Sequence, residues 1–562
     1  MKKIVSLVMC CALTAVLAVG CTAQKEENTP QTTDNLQKTA ETEPTPTVAP
    51  EETEPTATEP AEKSPEENET VVKTNYGEVM GAEQDGVLSY KGIPFAAPPL
   101  GELRFAPPQP LEGWDDVLDC TEFRGTAMQA QASQEEGIEY SEDCLYLNIW
   151  RTAEEQQEPM PVLVFIHGGA FTQGSPAKTT YDGTRFAQDG VVQVNIAYRL
   201  NALGFMPSEE ITEEYGNFGN NGVLDQIQAL TWVKENIEQF GGDPQNITIC
   251  GESAGAFSVS NLMLSPKAEG LFQKAIIESG TTVSQAVTAP FCDGTTTQAL
   301  GNAQRLMDSL NVESIEELRQ AGAQEVADAS AFSLDMLHPS RQAFFPVFDG
   351  DILPEDPLAA IENGAFNKVK LLVGYNTDEG SIFIDESMTE QQYDEFLENL
   401  FPKSAGKVQE RYPVDEQHTP ADRARNIVKM GFRMGGDLFA DQLYAAGEDA
   451  YLYHFNYSVP ALEEAGLGTT HALELLFVFD QFPEGVELDE EARAFVEEVH
   501  GRWLNFIKTG DPNEGIDFDT KWESYTPDEK QTMVLNENSH MAAMEEQEDL
   551  AFVTEMLWER YE

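Results

Sequence analysis

From about residue 160 onward, apolar residues fall in short unbroken runs separated by longer stretches of mixed character. "PVLVFIHGG" (161–169), "VVQVNIAYRL" (191–200), "NITIC" (246–250), "KAIIESG" (274–280) and "KLLVGY" (370–375) lack the polar alternation of a half-solvated strand. They predict strands buried on both faces. Between them, "LDQIQALTWVKENI" (224–237) places Leu224, Ile227, Leu230 and Val233 at helical spacing, and "AFSVSNLMLS" (256–265) reads as a second helix. Buried strands alternating with helices predict an α/β fold with a large, mostly parallel central sheet flanked by helices. Residues 71–562 hold no Pro- or Ser-rich linker and no internal repeat. That length is large for one core, so helical insertions into one sheet-centred domain are expected.

The pattern changes at the N-terminus. Residues 1–21, "MKKIVSLVMCCALTAVLAVGC", combine two lysines, an apolar stretch and small residues ahead of a cysteine. This is the layout of a secretory signal, too short before its cut site for a stable membrane span. Ala18-Val19-Gly20-Cys21 resembles a bacterial lipobox, which implies lipidation of Cys21 and tethering to the outer face of a membrane. Ordinary secretion is the alternative. Residues 22–70 contain no Phe, Trp or Tyr and seven prolines among Thr and Glu, so a disordered spacer is expected there.

Charge narrows the partners. Of the net −64, residues 1–21 contribute +2 and residues 22–70 contribute −10, leaving −56 for residues 71–562. Such a surface disfavours nucleic acid and anionic headgroups, so membrane contact is expected only through the lipid anchor. Outside the signal, Cys120, Cys144, Cys250 and Cys292 show no metal-ligand spacing. Cys250 lies in an apolar run and predicts a buried thiol, while Cys120 and Cys144 are left either free or bridged. No metal site is predicted: His471-Ala-Leu-Glu474 is not H-E-x-x-H.

The chemistry begins at "FGGDPQNITICGESAGAF" (240–257), a strand, then Gly251-Glu252-Ser253-Ala254-Gly255, then a helix. That is the context a nucleophile elbow requires, with glycines keeping side chains away from a sharp turn that exposes Ser253. The following helix N-terminus directs free N–H groups at developing negative charge. A serine needs a base to take its proton. Among the seven histidines, His471 follows "GLGTT" in a loop entering an apolar element, which makes it the best candidate. His167 precedes Gly168-Gly169-Ala170 and suits an oxyanion loop, and His454 alternates within "YLYHFNY" as a satisfied sheet position. His338, His418, His500 and His540 stand in polar or helical settings. The orienting carboxylate could be Asp378 or Glu379, in the turn ending "KLLVGYNTDEGSIF" (370–383), and position alone does not choose between them.

These residues, with "YKGIPFAAPPLGELRF" (90–105), "SEDCLYLNIW" (141–150), "TDEGSIF" (377–383), "THALELLFVF" (470–479) and "WLNFIKTGDPN" (503–513), resemble the type-B carboxylesterases in family order. These are the cholinesterase-like α/β-hydrolases, and the resemblance runs over nearly all of residues 71–562. It implies the α/β-hydrolase fold and a triad of Ser253, Glu379 and His471, in the chain order Ser…Glu…His. It also implies an oxyanion hole of the backbone N–H groups of Gly169, Ala170 and Ala254. Ala170 stands where the family usually has glycine. Arg104 with Glu142, and Arg199 with Asp225, resemble internal ion pairs of the family rather than substrate contacts. Cys144 resembles one half of a family disulfide whose partner position here holds Met128, and residues 129–140 lack the tryptophan that binds choline in cholinesterases.

The function so implied is hydrolysis of small carboxylic esters through an acyl-Ser253 intermediate, with no metal or organic cofactor. Two alternatives stay open: a non-catalytic surface binding protein on the same fold, and a lipase- or deacetylase-type hydrolase on the same triad. The acyl preference, the oligomeric state and the type of bacterial envelope are not readable from the residues.

Overall fold

The computed structural model describes residues 70–561, apart from residues 136, 289, 332–335, 338–342 and 465. The expected signal, Cys21 and the spacer lie outside the described residues. The centre is an eleven-stranded sheet among the described residues. In chain order its strands are β1 (Ala82–Gln84), β2 (Val87–Pro94), β3 (Tyr146–Thr152), β4 (Met160–Ile166), β5 (Val192–Ile196), β6 (Gly242–Glu252), β7 (Lys274–Glu278), β8 (Lys370–Asn376), β9 (Ala450–Phe455), β10 (Gln531–Leu535) and β11 (His540–Ala543). Across the sheet they run β11-β10-β9-β8-β7-β6-β4-β5-β3-β2-β1.

Every pairing from β5 through β4 and β6 to β10 is parallel, and the pairings at the two ends are antiparallel. The strands expected to be buried on both faces are those of this parallel centre. Each residue of Val192–Ile196 and of Lys274–Glu278 is buried. Parallel neighbours need crossover connections, and these put helices on both faces of the sheet. The sequence does not announce the antiparallel margins, since β1 and β11 are only three and four residues long and a long segment outside this sheet separates β2 from β3.

The helix expected over 224–237 is α1 (Asn221–Asn236). Its buried face is rotated from the expected one: Leu224 and Ile227 are half-buried, while Val223, Gln226, Ala229, Leu230, Trp232 and Val233 are fully buried. Polar Gln226 enters with its amide N–H donating to Ser258 Oγ at 2.9 Å, which offsets part of the cost of its burial. The second expected helix is α2 (Ala254–Leu264), buried along its whole length against β6 and β7.

Two internal ion pairs tie loops to this frame. Arg104 meets Glu142 at 2.6 Å, and Arg199 meets Asp225 at 2.7 Å. The Arg199 pair is buried and almost fully hydrogen-bonded, with Nη1 also donating to the Ala106 carbonyl at 2.7 Å. Cys120, Cys144, Cys250 and Cys292 are all free and buried, so Cys120 and Cys144 do not form a bridge.

Candidate active site

Strand β6 ends at Glu252, and helix α2 starts at Ala254. Ser253 alone makes the turn, with φ 57° and ψ −123°, a conformation that L-residues rarely adopt. Two hydrogen bonds hold it there. Its N–H donates to the Glu278 carbonyl at 3.0 Å, and its carbonyl accepts from Phe257 N–H at 2.9 Å.

The flanking glycines are required by space. A Cβ on Gly251 would lie 2.4 Å from the Gly255 carbonyl oxygen, and one on Gly255 would lie 2.0 Å from the Ile166 carbonyl oxygen. The elbow is thus pressed directly against the end of β4, whose continuation is Gly168-Gly169-Ala170.

That continuation is itself strained: Gly169, Ala170 and Phe171 all have positive φ, of 115°, 55° and 58°. It is held from outside. Gln129 donates to the Gly174 carbonyl at 2.6 Å and accepts from Gly174 N–H at 3.1 Å. His167 stacks on Tyr198 at 4.6 Å between ring centres, and its Nδ1 pairs with the Gly168 carbonyl at 2.9 Å. Burial pushes the His167 imidazole down to about 4, so it stays neutral. The Gly169 and Ala170 amides donate to no protein group among the described residues. The Ala254 amide is the first of its helix and has no intrahelical partner. Gly169, Ala170 and Ala254 line the same cavity as Ser253.

His471 reaches that cavity from the loop after residue 467. Its Nδ1 lies 2.5 Å from Glu379 Oε2, and Glu379 Oε1 accepts from Asn376 N–H at 2.7 Å. Asp378, the other carboxylate considered, instead bridges through its backbone to Thr470. The His471 ring packs on Phe432 at 4.6 Å and on Phe383 at 5.4 Å. Its Nε2 comes within 3.1 Å of Glu252 Oε1 without hydrogen-bond geometry, so this is a charge contact that leaves the nitrogen's hydrogen-bonding capacity free. Burial alone would lower the His471 pKa. The adjacent Glu252 and Glu379 carboxylates outweigh that and hold it above its ordinary value.

The remaining histidines stand apart from this constellation. His454 sits in β9, stacked on Tyr375 at 4.7 Å and bonded to Thr377 Oγ1 at 2.8 Å. His500 bridges the Val478 carbonyl and Asp189, His418 is half-buried beside Asp415, His540 is exposed, and His338 lies outside the described residues.

Sequence reasoning missed the acids behind the triad. Glu252, Glu278 and Glu474 are buried, as is Glu379 of the triad itself. Glu474 accepts from Asn376 Nδ2, and Ser279 Oγ lies 3.5 Å from it. Burial raises the Glu474 carboxyl well above the usual range, and its three acidic neighbours add to the effect. The available signal was a glutamate inside an otherwise apolar strand, as in "KAIIESG" (274–280).

The cavity holds about 1310 Å³ of non-atom space, including its open mouth. Phe171, Phe257, Phe345, Phe383, Phe432 and Leu467 give it mainly aromatic and apolar walls. Among the described residues no cluster of His, Cys, Asp and Glu has the arrangement to hold a metal ion, and no helix is long and apolar enough to cross a membrane.

A serine on a strained strand-to-helix turn, a buried histidine–carboxylate pair and unbonded amides on one cavity define an α/β-hydrolase of the serine-hydrolase kind. Residues 68–553 match the model of the carboxylesterase family. The chain belongs to the carboxylesterase family, enzymes that hydrolyse carboxylic esters. It is 36% identical over 492 residues to the para-nitrobenzyl esterase of Bacillus subtilis (strain 168), a match covering 83% of this chain and 94% of that protein. Among solved structures, a PNB esterase superposes with a TM-score of 0.73 at 31% identity, covering 86% of this chain and 100% of the other. The Geobacillus stearothermophilus carboxylesterase EST55 superposes with a TM-score of 0.74 at 35% identity, covering 86% and 99%.

Proposed function

We propose that the protein hydrolyses small uncharged carboxylic esters through an acyl-enzyme on Ser253, with His471 as general base and acid and Glu379 as its orienting carboxylate. The observation that carries this reading is the 2.5 Å contact of Glu379 with His471 Nδ1, which leaves Nε2 as the nitrogen facing the cavity of Ser253. Nε2 takes the Ser253 hydroxyl proton as the oxygen attacks the ester carbonyl carbon. The carbonyl oxygen becomes an oxyanion that accepts from the amides of Gly169, Ala170 and Ala254. On collapse, the bond to the leaving oxygen breaks, and the imidazolium returns the proton to the departing alcohol. Water, deprotonated by His471, then attacks the acyl carbonyl carbon; the bond to Ser253 Oγ breaks, the imidazolium returns the proton to that oxygen, and the carboxylic acid is freed. Glu379 and Glu252 stabilise the imidazolium in both halves, since both carboxylates lie within 3.1 Å of the ring nitrogens.

Substrate class follows from the walls. An aromatic cavity in a domain of net charge −56 suits neutral esters with apolar acyl or arylalkyl groups and disfavours anionic ones. The test is a p-nitrophenyl ester series, a p-nitrobenzyl ester and a phosphonate probe on the full chain. Burst kinetics and a phosphonate adduct on Ser253, both abolished by Ser253→Ala, are expected. Turnover that survives Ser253→Ala would overturn the reading.

We also read Cys21 as the lipid attachment point that holds the enzyme on the outer face of a bacterial membrane. Its support is the signal-like sequence of residues 1–21. Cys21→Ser should release activity from the membrane fraction, and unchanged retention would refute it.

A further inference from the structure

Behind the nucleophile lies a carboxyl group that the reaction as described does not use. Glu278 is the last residue of β7 and is completely buried. It stands in parallel register beside Glu252 of β6, the residue before the nucleophile. Its backbone carbonyl holds the Ser253 N–H at 3.0 Å. Its side chain is pinned by two donors: Trp503 Nε1, from helix α3 (Glu490–Thr509), reaches Oε1 at 2.9 Å, and Cys250 Sγ reaches Oε2 at 3.3 Å.

The titratable groups around it are nearly all acidic. Cys250 and Glu252 come from β6, Tyr453 from β9, and Glu474 from the segment after His471, with Glu379 beyond it. Ionised together, Glu252 and Glu379 beside His471 and Glu474 and Glu278 behind them would place four negative charges against one imidazolium in a dry interior. Interior charge of that kind is carried only where it is paired, and otherwise the group keeps its proton. No arginine or lysine makes an ion pair with any of the four among the described residues.

We propose that Glu278 is a positioning residue that keeps its own proton, so that negative charge beneath the nucleophile stays low while the carboxylates of Glu252 and Glu379 facing His471 remain available to the imidazolium. The inference rests on the Ser253–His471–Glu379 reading. Burial raises the Glu278 carboxyl to about 8 and the Glu252 carboxyl to about 7, against an ordinary 4.5 for each. Glu278 therefore holds its proton through neutral pH, whereas the His471 imidazolium 3.1 Å from Glu252 favours the ionised form of Glu252, and an ionised Glu252 in turn opposes ionisation of Glu278. Glu278 acts through Glu252 and the elbow and does not touch the substrate.

The consequence has a defined sign. Between the ordinary value of 4.5 and about 8, the folded protein binds a proton at Glu278 that the unfolded chain has released, so stability falls as pH rises through this window and levels off above it. Glu278→Gln keeps the shape and an acceptor for Trp503 but cannot ionise. Its unfolding midpoint should therefore match that of the wild type near pH 5 and exceed it by a widening margin up to pH 8. For activity, the wild-type profile of log kcat/KM should bend between pH 7 and 9 as the proton is lost. The variant should stay within about threefold of wild type at pH 6.5 and lack that bend. Parallel midpoints across pH 5–8, together with superimposable pH profiles, would overturn the proposal. If Glu278→Gln fails to fold, infrared spectra of the wild type serve instead: a protonated-carboxyl band that titrates near pH 8 supports the proposal, and its absence at pH 6 refutes it. Phosphonate labelling of Ser253, scored in the same samples, separates the two readings. Labelling with unshifted profiles sinks only the role of Glu278, whereas loss of labelling in the folded wild type sinks the triad.

Discussion

Gly255→Ala tests how tightly the elbow and the oxyanion loop are coupled. A methyl group at residue 255 would sit 2.0 Å from the Ile166 oxygen, 3.0 Å from the Ile166 carbonyl carbon and 3.1 Å from the His167 carbonyl carbon. All three are backbone atoms of β4 and its continuation, so no side chain can rotate aside. Real Cβ contacts essentially never fall below 3.0 Å, so elbow and strand must part by about 1 Å. Overpacking of this kind costs about 1–3 kcal/mol, which leaves the protein folded at room temperature. The larger effect is chemical. The strand that moves carries Gly169 and Ala170, and a 1 Å displacement of catalytic groups costs about 10²-fold in rate. Full loss of one oxyanion donor costs about 10²–10³-fold. We therefore expect kcat for a p-nitrophenyl ester to fall at least about 100-fold in Gly255→Ala, with KM changed far less and a modestly lowered unfolding midpoint. The assay pairs initial rates with phosphonate titration, which counts competent serines, and a thermal scan of the same sample. A folded Gly255→Ala enzyme with kcat within about threefold of wild type would refute the argument that backbone contact sets the donors' position.

Other perturbations probe the remaining parts. Glu379→Gln should retain the fold and lose about 10²–10⁴-fold in kcat/KM, because an amide cannot stabilise the imidazolium; rates near wild type would point to another carboxylate. Since Glu252 and Glu379 hold the His471 pKa above its ordinary 6.5, and the base must be neutral to act, the acid limb of kcat/KM should have its midpoint above pH 6.5; a midpoint below 6 would contradict this. Arg199→Leu strands Asp225 as an unpaired buried charge and should destabilise by about 3–5 kcal/mol in chemical denaturation. A reductant should leave the unfolding midpoint unchanged, because Cys120, Cys144, Cys250 and Cys292 are all free thiols.

Local signals sufficed for much of the molecule. Unbroken apolar runs marked β4, β5, β6, β7 and β8, and the punctuation G-x-S-x-G marked the turn after β6. These features depend on residues within a few positions of each other, so they survive in a single string. The base stood out because histidines are few and only His471 had a loop leading into an apolar element. The acid did not stand out: Asp378 and Glu379 are adjacent and both ionisable. Resemblance to the family chose Glu379, and the fold gives the physical reason, since Glu379 turns inward to His471 while Asp378 pairs through its backbone with Thr470.

What the sequence determined by itself was the run of central strands β4 to β8 with helices α1 and α2 among them, the sharp turn at Ser253 and the glycines that allow it, since turn chemistry and hydrophobic period act locally. Which side of α1 is buried, how Ala170 and Phe171 adopt positive φ, and what surrounds Glu252, Glu278 and Glu474 were decided only by the tertiary structure. The reason is that burial and pairing are set by segments hundreds of residues apart. Trp503 and Cys250 meet at one carboxyl of Glu278, and whether that carboxyl holds a proton depends on the dielectric of the place rather than on the letter in the sequence.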